Sequence, residues 1–62
     1  MKDRINYNVD DLGILVIWLG NRVLAEVGDC YGRNGKDLEN IVDNTLYGMG
    51  YKWNDDGTVE KM

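Results

Sequence analysis

The chain predicts an α+β domain: a three-stranded antiparallel meander, one amphipathic helix packed on one face of it, and a short C-terminal strand or hairpin, in the order βββαβ. Three observations carry this reading. A Gly20-Asn21 pair separates two apolar runs, ILVIWL and RVLAEV. Residues 36 to 49 repeat their apolar side chains at helical spacing, and the segment GDCYGRNG, residues 28 to 35, ends the first periodicity before the second begins.

The first strand is read from RINYNV, where Ile5, Tyr7 and Val9 alternate with Arg4, Asn6 and Asn8. That is the period of a strand with one face in water. DDLG, residues 10 to 13, supplies the turn into the next strand. Glycine at the first central position of Gly20-Asn21 suits a type II′ turn, whose twist matches the strands on either side. With strict alternation the turn pairs Leu19 with Arg22, Trp18 with Val23, Ile17 with Leu24, Val16 with Ala25, Leu15 with Glu26 and Ile14 with Val27. One face then holds Ile14, Val16, Trp18, Val23, Ala25 and Val27, and this face is expected to be the core side. The other holds Leu15, Ile17, Leu19 and Leu24 beside Arg22 and Glu26, more apolar than a solvated sheet face should be.

From Lys36 to Met49 the stripe Leu38, Ile41, Val42, Thr45, Leu46 and Met49 follows the spacing of an amphipathic helix. Asn34 is the expected N-cap, with Asp37 three residues on in a capping-box-like arrangement, and Gly50 the expected left-handed stop. Asp37 and Glu39 suit the positive end of the helix dipole. YKWN and TVEKM flank Asp56-Gly57, a favoured type I′ pair, so a short strand or hairpin closes the chain.

Residues 1 to 62 are expected to form a single small domain. A domain of this length buries only about 60% of the surface its unfolded chain exposes, so its core is near the lower limit of self-sufficiency. Small domains make up the deficit with disulfides, a metal or oligomerisation. A lone Cys30 cannot form an internal disulfide, and without histidine a zinc site lacks its usual ligands. No metal and no cofactor is expected, which leaves oligomerisation. The composition, 44% hydrophobic and 29% charged, is that of a globular chain, and no apolar run reaches the roughly 18 residues of a membrane span. MKDRINYN lacks the apolar core of a secretory signal, and one unpaired cysteine suits a reducing compartment, so a cytoplasmic protein is expected.

The formal net charge is −4, and no two of the seven Lys and Arg residues are adjacent. Direct nucleic-acid binding, which needs clustered cations over phosphates, is disfavoured. Nucleophilic catalysis of the common kinds is disfavoured as well, because the chain has neither serine nor histidine. Cys30 reads as a structural thiol. Asp10-Asp11 and Asp55-Asp56 each sit before a turn glycine, where aspartate bonds the local backbone, rather than face to face across a cleft. GRNGK, residues 32 to 36, lacks the spacing and hydroxyl of a nucleotide loop. KWNDDG begins on Lys52 where a calcium loop needs a carboxylate, and the bidentate glutamate is missing.

Two surfaces remain. Leu15, Ile17, Leu19 and Leu24 form the surplus apolar face, for which a partner is the expected cover, in the first place a second copy of the chain. Asp37, Glu39 and Asp43 lie on the polar helix face, and with Asp55 and Asp56 they could imitate a row of phosphates. The run GKDLENIVDN, which follows Cys30 and a strand pair, resembles the strand-to-helix passage of HicB-type antitoxins over ten residues. The Pro-Asp-Leu-Pro-Gly segment that precedes it in that family is missing here, so family membership is not inferred. The sequence thus leads to a non-enzymatic interaction protein, a small regulator or inhibitor of phage or mobile-element type. It is expected to act as a homodimer through an apolar sheet face on an as yet unknown protein partner. The alternative is an acidic decoy for a DNA- or RNA-handling enzyme.

Overall fold

The computed structural model describes residues 4–62, which form β1 (Ile5–Val9), β2 (Leu15–Leu19), β3 (Arg22–Val27), α1 (Lys36–Gly48), β4 (Tyr51–Trp53) and β5 (Val59–Lys61). The α+β architecture expected from the sequence is present. A three-stranded antiparallel sheet in the order β1-β2-β3 and a helix share one apolar core, and β4-β5 close the chain as an antiparallel pair.

The Asp10–Gly13 turn sets the register of the first two strands. The Asp10 amide donates to the Ile14 carbonyl (3.0 Å), Gly13 donates to the Asp10 carbonyl (3.0 Å), and the Asp10 carboxylate accepts from the amides of Leu12 (2.9 Å) and Ile14 (3.0 Å). Val9 is therefore opposite Leu15, Tyr7 opposite Ile17 and Ile5 opposite Leu19. All three apolar residues of β1 thus fall on the face of Leu15, Ile17 and Leu19, while Asn6 and Asn8 stand opposite Trp18 and Val16.

This register inverts the expected assignment of faces. Leu15 and Ile17 are fully buried (0% exposed), and Leu19 is half-buried against the same core, whereas Trp18 and Val23 are 36% and 47% exposed. The β2-β3 hairpin begins as expected at a turn with Gly20 at φ 63°, pairing Leu19 with Arg22 and Trp18 with Val23. Its ladder then slips. Ile17 stands opposite Ala25, Val16 opposite Glu26 and Leu15 opposite Val27, which leaves Leu24 as the extra residue of a bulge. Because side chains alternate with a period of two, one inserted residue carries Ala25 and Val27 across to the Leu15 and Ile17 face. Leu24, Ala25 and Val27 all pack against the core.

Cys30, Val42, Leu46 and Val59 complete the core with Ile5, Leu15 and Ile17. On α1 the buried Val42 and Leu46 are flanked by half-buried Leu38, Ile41 and Thr45, as the helical spacing predicts. Met49 departs from that stripe: it is the C-cap and 45% exposed. The helix entry also differs from the sequence reading. Gly35, not Asn34, is the N-cap, with no side-chain cap bond, and Asn34 takes part only through its backbone carbonyl, which accepts from the Asp37 amide at 3.2 Å. The C-terminal stop is as expected, with Gly50 at φ 91°.

The terminal hairpin turns at Asn54–Gly57 by a wider loop than the type I′ pair expected. Gly57 donates to the Asn54 carbonyl (3.0 Å) and Asn54 to the Thr58 carbonyl (2.8 Å), with the positive φ confined to Gly57 (88°). This is a type I turn followed by a left-handed residue, the same device as Asp10–Gly13. The hairpin docks on the start of β1. Ile5 donates to the Gly57 carbonyl (2.8 Å), the Arg4 guanidinium donates to the Asp56 carbonyl (2.9 Å), and Tyr7 meets Trp53 edge to face at 5.8 Å between ring centroids.

Candidate interaction surfaces

Four residues expected to form an interface, Leu15, Ile17, Leu19 and Leu24, are instead part of the intramolecular core. The physical reason is β1. Its apolar side chains join whichever face of β2 the Asp10–Gly13 loop puts opposite them, and the helix buries the face on which all three strands are apolar. The surplus apolar face is therefore the outward one. It carries Val16 and Trp18 from β2, Val23 from β3, and half-buried Ile14 just before β2, rimmed by exposed Asn6, Asn8 and Glu26. The alternation of RINYNV was the signal for this assignment, once carried through the loop length.

On the far side of the fold, Asp37, Glu39 and Asp43 are exposed on α1, as the sequence reading places them. Glu39 and Asp43, with Asn40, line a shallow open depression of about 340 Å³ whose other wall is Trp53, Asn54, Asp55 and Gly57 of the terminal hairpin. Helix and hairpin thus bring Glu39, Asp43 and Asp55 to one place, while Asp37 is not among the lining residues. The indole N–H of Trp53 is shielded from solvent and has no acceptor among the described residues.

The remaining singled-out groups have structural work. Asp10 organises the first loop, and the Asp56 carboxylate accepts from the Thr58 amide (3.0 Å) and hydroxyl (2.6 Å) in the second. Cys30 is 1% exposed, and its thiol donates to the carbonyls of Val27 (3.6 Å) and Gly28 (3.5 Å). Burial of this kind makes a thiol inert in the native state. A thiol reagent should therefore modify Cys30 only at the rate at which the chain opens. Labelling followed by mass spectrometry through a urea series checks this, and rapid labelling without denaturant would contradict the placement. Among the described residues no three acidic or thiol side chains converge closely enough to hold a metal ion, and no helix is long and apolar enough to cross a membrane.

No family model, curated protein or solved structure matches this chain. The functional reading accordingly rests on these two surfaces.

Proposed function

We propose that this chain is a small, cytoplasmic, non-enzymatic interaction protein, a regulator or inhibitor, that acts as a homodimer through the outward face of its three-stranded sheet. The observation that carries this reading is that Trp18 and Val23 lie opposite one another, 36% and 47% exposed, on a face that also presents Val16 and Ile14. Tryptophan is the residue type most enriched where binding energy concentrates, and a rim of Asn6, Asn8 and Glu26 around it matches the polar border of an interface. A two-fold axis through the patch lets one surface serve both subunits.

The size of the face sets the strength of the pairing. Three strands spaced about 4.8 Å apart and about five residues long present a patch of roughly 14 by 17 Å. That is well below the ~800 Å² per partner of a standard interface, so the dimer is weak and dissociates on dilution. The same face, freed, is then open to another protein. The buried thiol of Cys30 fits the reducing compartment proposed.

Light scattering across a dilution series tests the dimer. The wild-type mass is expected to rise towards twice that of the monomer with concentration. Trp18→Lys and Val23→Glu should hold it at the monomer value with the circular dichroism spectrum unchanged, since both positions are exposed. A wild-type monomer at every concentration would overturn the homodimer.

A second reading is favoured by the convergence of Glu39, Asp43 and Asp55 across the helix-hairpin depression: an acidic decoy that occupies the nucleic-acid groove of an enzyme. It predicts inhibition that weakens steeply with added salt and is lost in the triple variant Glu39→Gln, Asp43→Asn, Asp55→Asn. Inhibition that ignores salt but fails in Trp18→Lys would assign the effect to the sheet face instead.

A further inference from the structure

We infer that Asn34 is a site of spontaneous covalent modification, where intramolecular deamidation rewrites the entry to α1. Asn34-Gly35 is the sole Asn-Gly step in the chain, and it lies in the exposed segment between Cys30 and the helix. Deamidation needs the backbone nitrogen of the next residue to reach the asparagine side-chain carbonyl, so it is slowed by a bulky neighbour, by a helical or strand backbone, and by hydrogen bonds that occupy either group.

None of these brakes operates at Asn34. Gly35 has no side chain, and even a Cβ added there would meet nothing within 4 Å. As the N-cap, at φ 55° and ψ −127°, Gly35 joins the helical ladder only through its carbonyl, which accepts from the Glu39 amide at 3.1 Å, and its nitrogen, the attacking group, donates to no group among the described residues. The Asn34 side chain is exposed and makes no hydrogen bond there either. The other asparagines differ. Asn6 and Asn8 are in β1, Asn40 and Asn44 are inside α1, and Asn21 and Asn54 precede Arg22 and Asp55, whose side chains crowd the attacking nitrogen.

The Gly35 nitrogen, giving up its proton to solvent base, forms a bond to Asn34 Cγ. The Cγ–Nδ2 bond breaks and ammonia leaves, closing a five-membered succinimide. Water then opens the ring. Attack at Cγ leaves aspartate, and attack at the backbone carbonyl carbon leaves isoaspartate, with one more carbon in the main chain. Either product adds a carboxylate and takes the formal net charge from −4 to −5. Aspartate places that charge beside the positive end of the helix dipole, next to Asp37 and Glu39. Isoaspartate displaces the carbonyl that accepts from the Asp37 amide and so loosens the first turn.

The test incubates the full chain at mildly alkaline pH beside a short peptide of residues 31–38, following intact mass, isoelectric focusing and methyl acceptance from an isoaspartyl methyltransferase. The protein is expected to gain one acidic species at a rate comparable to the peptide, with the change mapped to Asn34 by fragmentation. Asn34→Gln should abolish that species, because attack would then have to close a six-membered ring. Complete conversion of the peptide while the protein keeps its amide, or a modification that maps to another asparagine, would overturn the inference.

Discussion

Ile17→Ala is expected to destabilise the monomer by about 2–5 kcal/mol, the range for deleting a large aliphatic side chain from a packed core. The neighbouring Trp18→Ala should cost about 1 kcal/mol, the scale of strand-propensity and cross-strand effects at a partly exposed site. The contrast follows from one turn of the pleat. Ile17 is fully buried between Tyr7, Ala25 and the helix side of the core, while Trp18 faces outward between Asn6 and Val23. A chain of 62 residues has a total stability of only about 3–9 kcal/mol, so the first substitution removes a large share of it or all of it. Urea denaturation, at a concentration low enough to keep the protein monomeric, separates the two variants. If Trp18→Ala proved the more damaging, the assignment of faces would be wrong.

Gly13→Ala is expected to cost on the order of 2 to 4 kcal/mol, from two sources that a control can separate. The first is conformational: Gly13 has φ 79°, where a residue with a Cβ pays about 1–3 kcal/mol. The second is a close approach. A Cβ on Gly13 would lie 3.0 Å from Tyr31 Cβ, 3.1 Å from its Cδ2 and 3.2 Å from its backbone nitrogen. Tyr31 cannot simply retreat, because the preceding Cys30 donates its amide to the Gly13 carbonyl at 2.9 Å and buries its thiol in the core. The β1-β2 turn and the segment leading to α1 are latched together here. Gly32→Ala supplies the control, since Gly32 has a nearly identical φ of 78° with nothing within 4 Å of the added atom. Its cost reads the backbone contribution alone. At about 4–8 °C of melting temperature per kcal/mol for a domain of this size, Gly13→Ala should melt well below Gly32→Ala. Equal shifts would mean that Tyr31 exerts no steric constraint.

The latch bears on the candidate surfaces because the β1-β2 loop decides which face of the sheet is buried. Had that loop been one residue shorter or longer, Ile5, Tyr7 and Val9 would have stood opposite the Ile14, Val16 and Trp18 set instead. Leu15 and Ile17 would then face outward. Loop length, more than the apolar content of the hairpin, selects between two faces that are nearly equally oily.

Local chemistry was enough to read the elements themselves. Alternation in RINYNV, glycine at the first position of the Gly20-Asn21 turn, the helical stripe through Val42 and Leu46, and the stop at Gly50 each depend on neighbours a few residues away, and each stands where the sequence places it. The presence of one apolar face too many was equally legible, since counting side chains on a pleated strand requires no tertiary information. So was the acidic face of the helix, whose Asp37, Glu39 and Asp43 are exposed as expected.

What only the tertiary structure decided was which apolar face is the core. Two non-local facts settle it: the bulge at Leu24, which moves Ala25 and Val27 across the sheet, and the pairing of β1 with β2, which adds Ile5, Tyr7 and Val9 to the Leu15 and Ile17 side. A bulge has no local signature in RVLAEV. Through it Leu24, Ala25 and Val27 all pack against the core, whereas an unbroken ladder would turn Ala25 and Val27 to the outward face. The meeting of Asp55 with Glu39 and Asp43 likewise depends on how the terminal hairpin docks against α1, a contact between segments that strict periodicity cannot place.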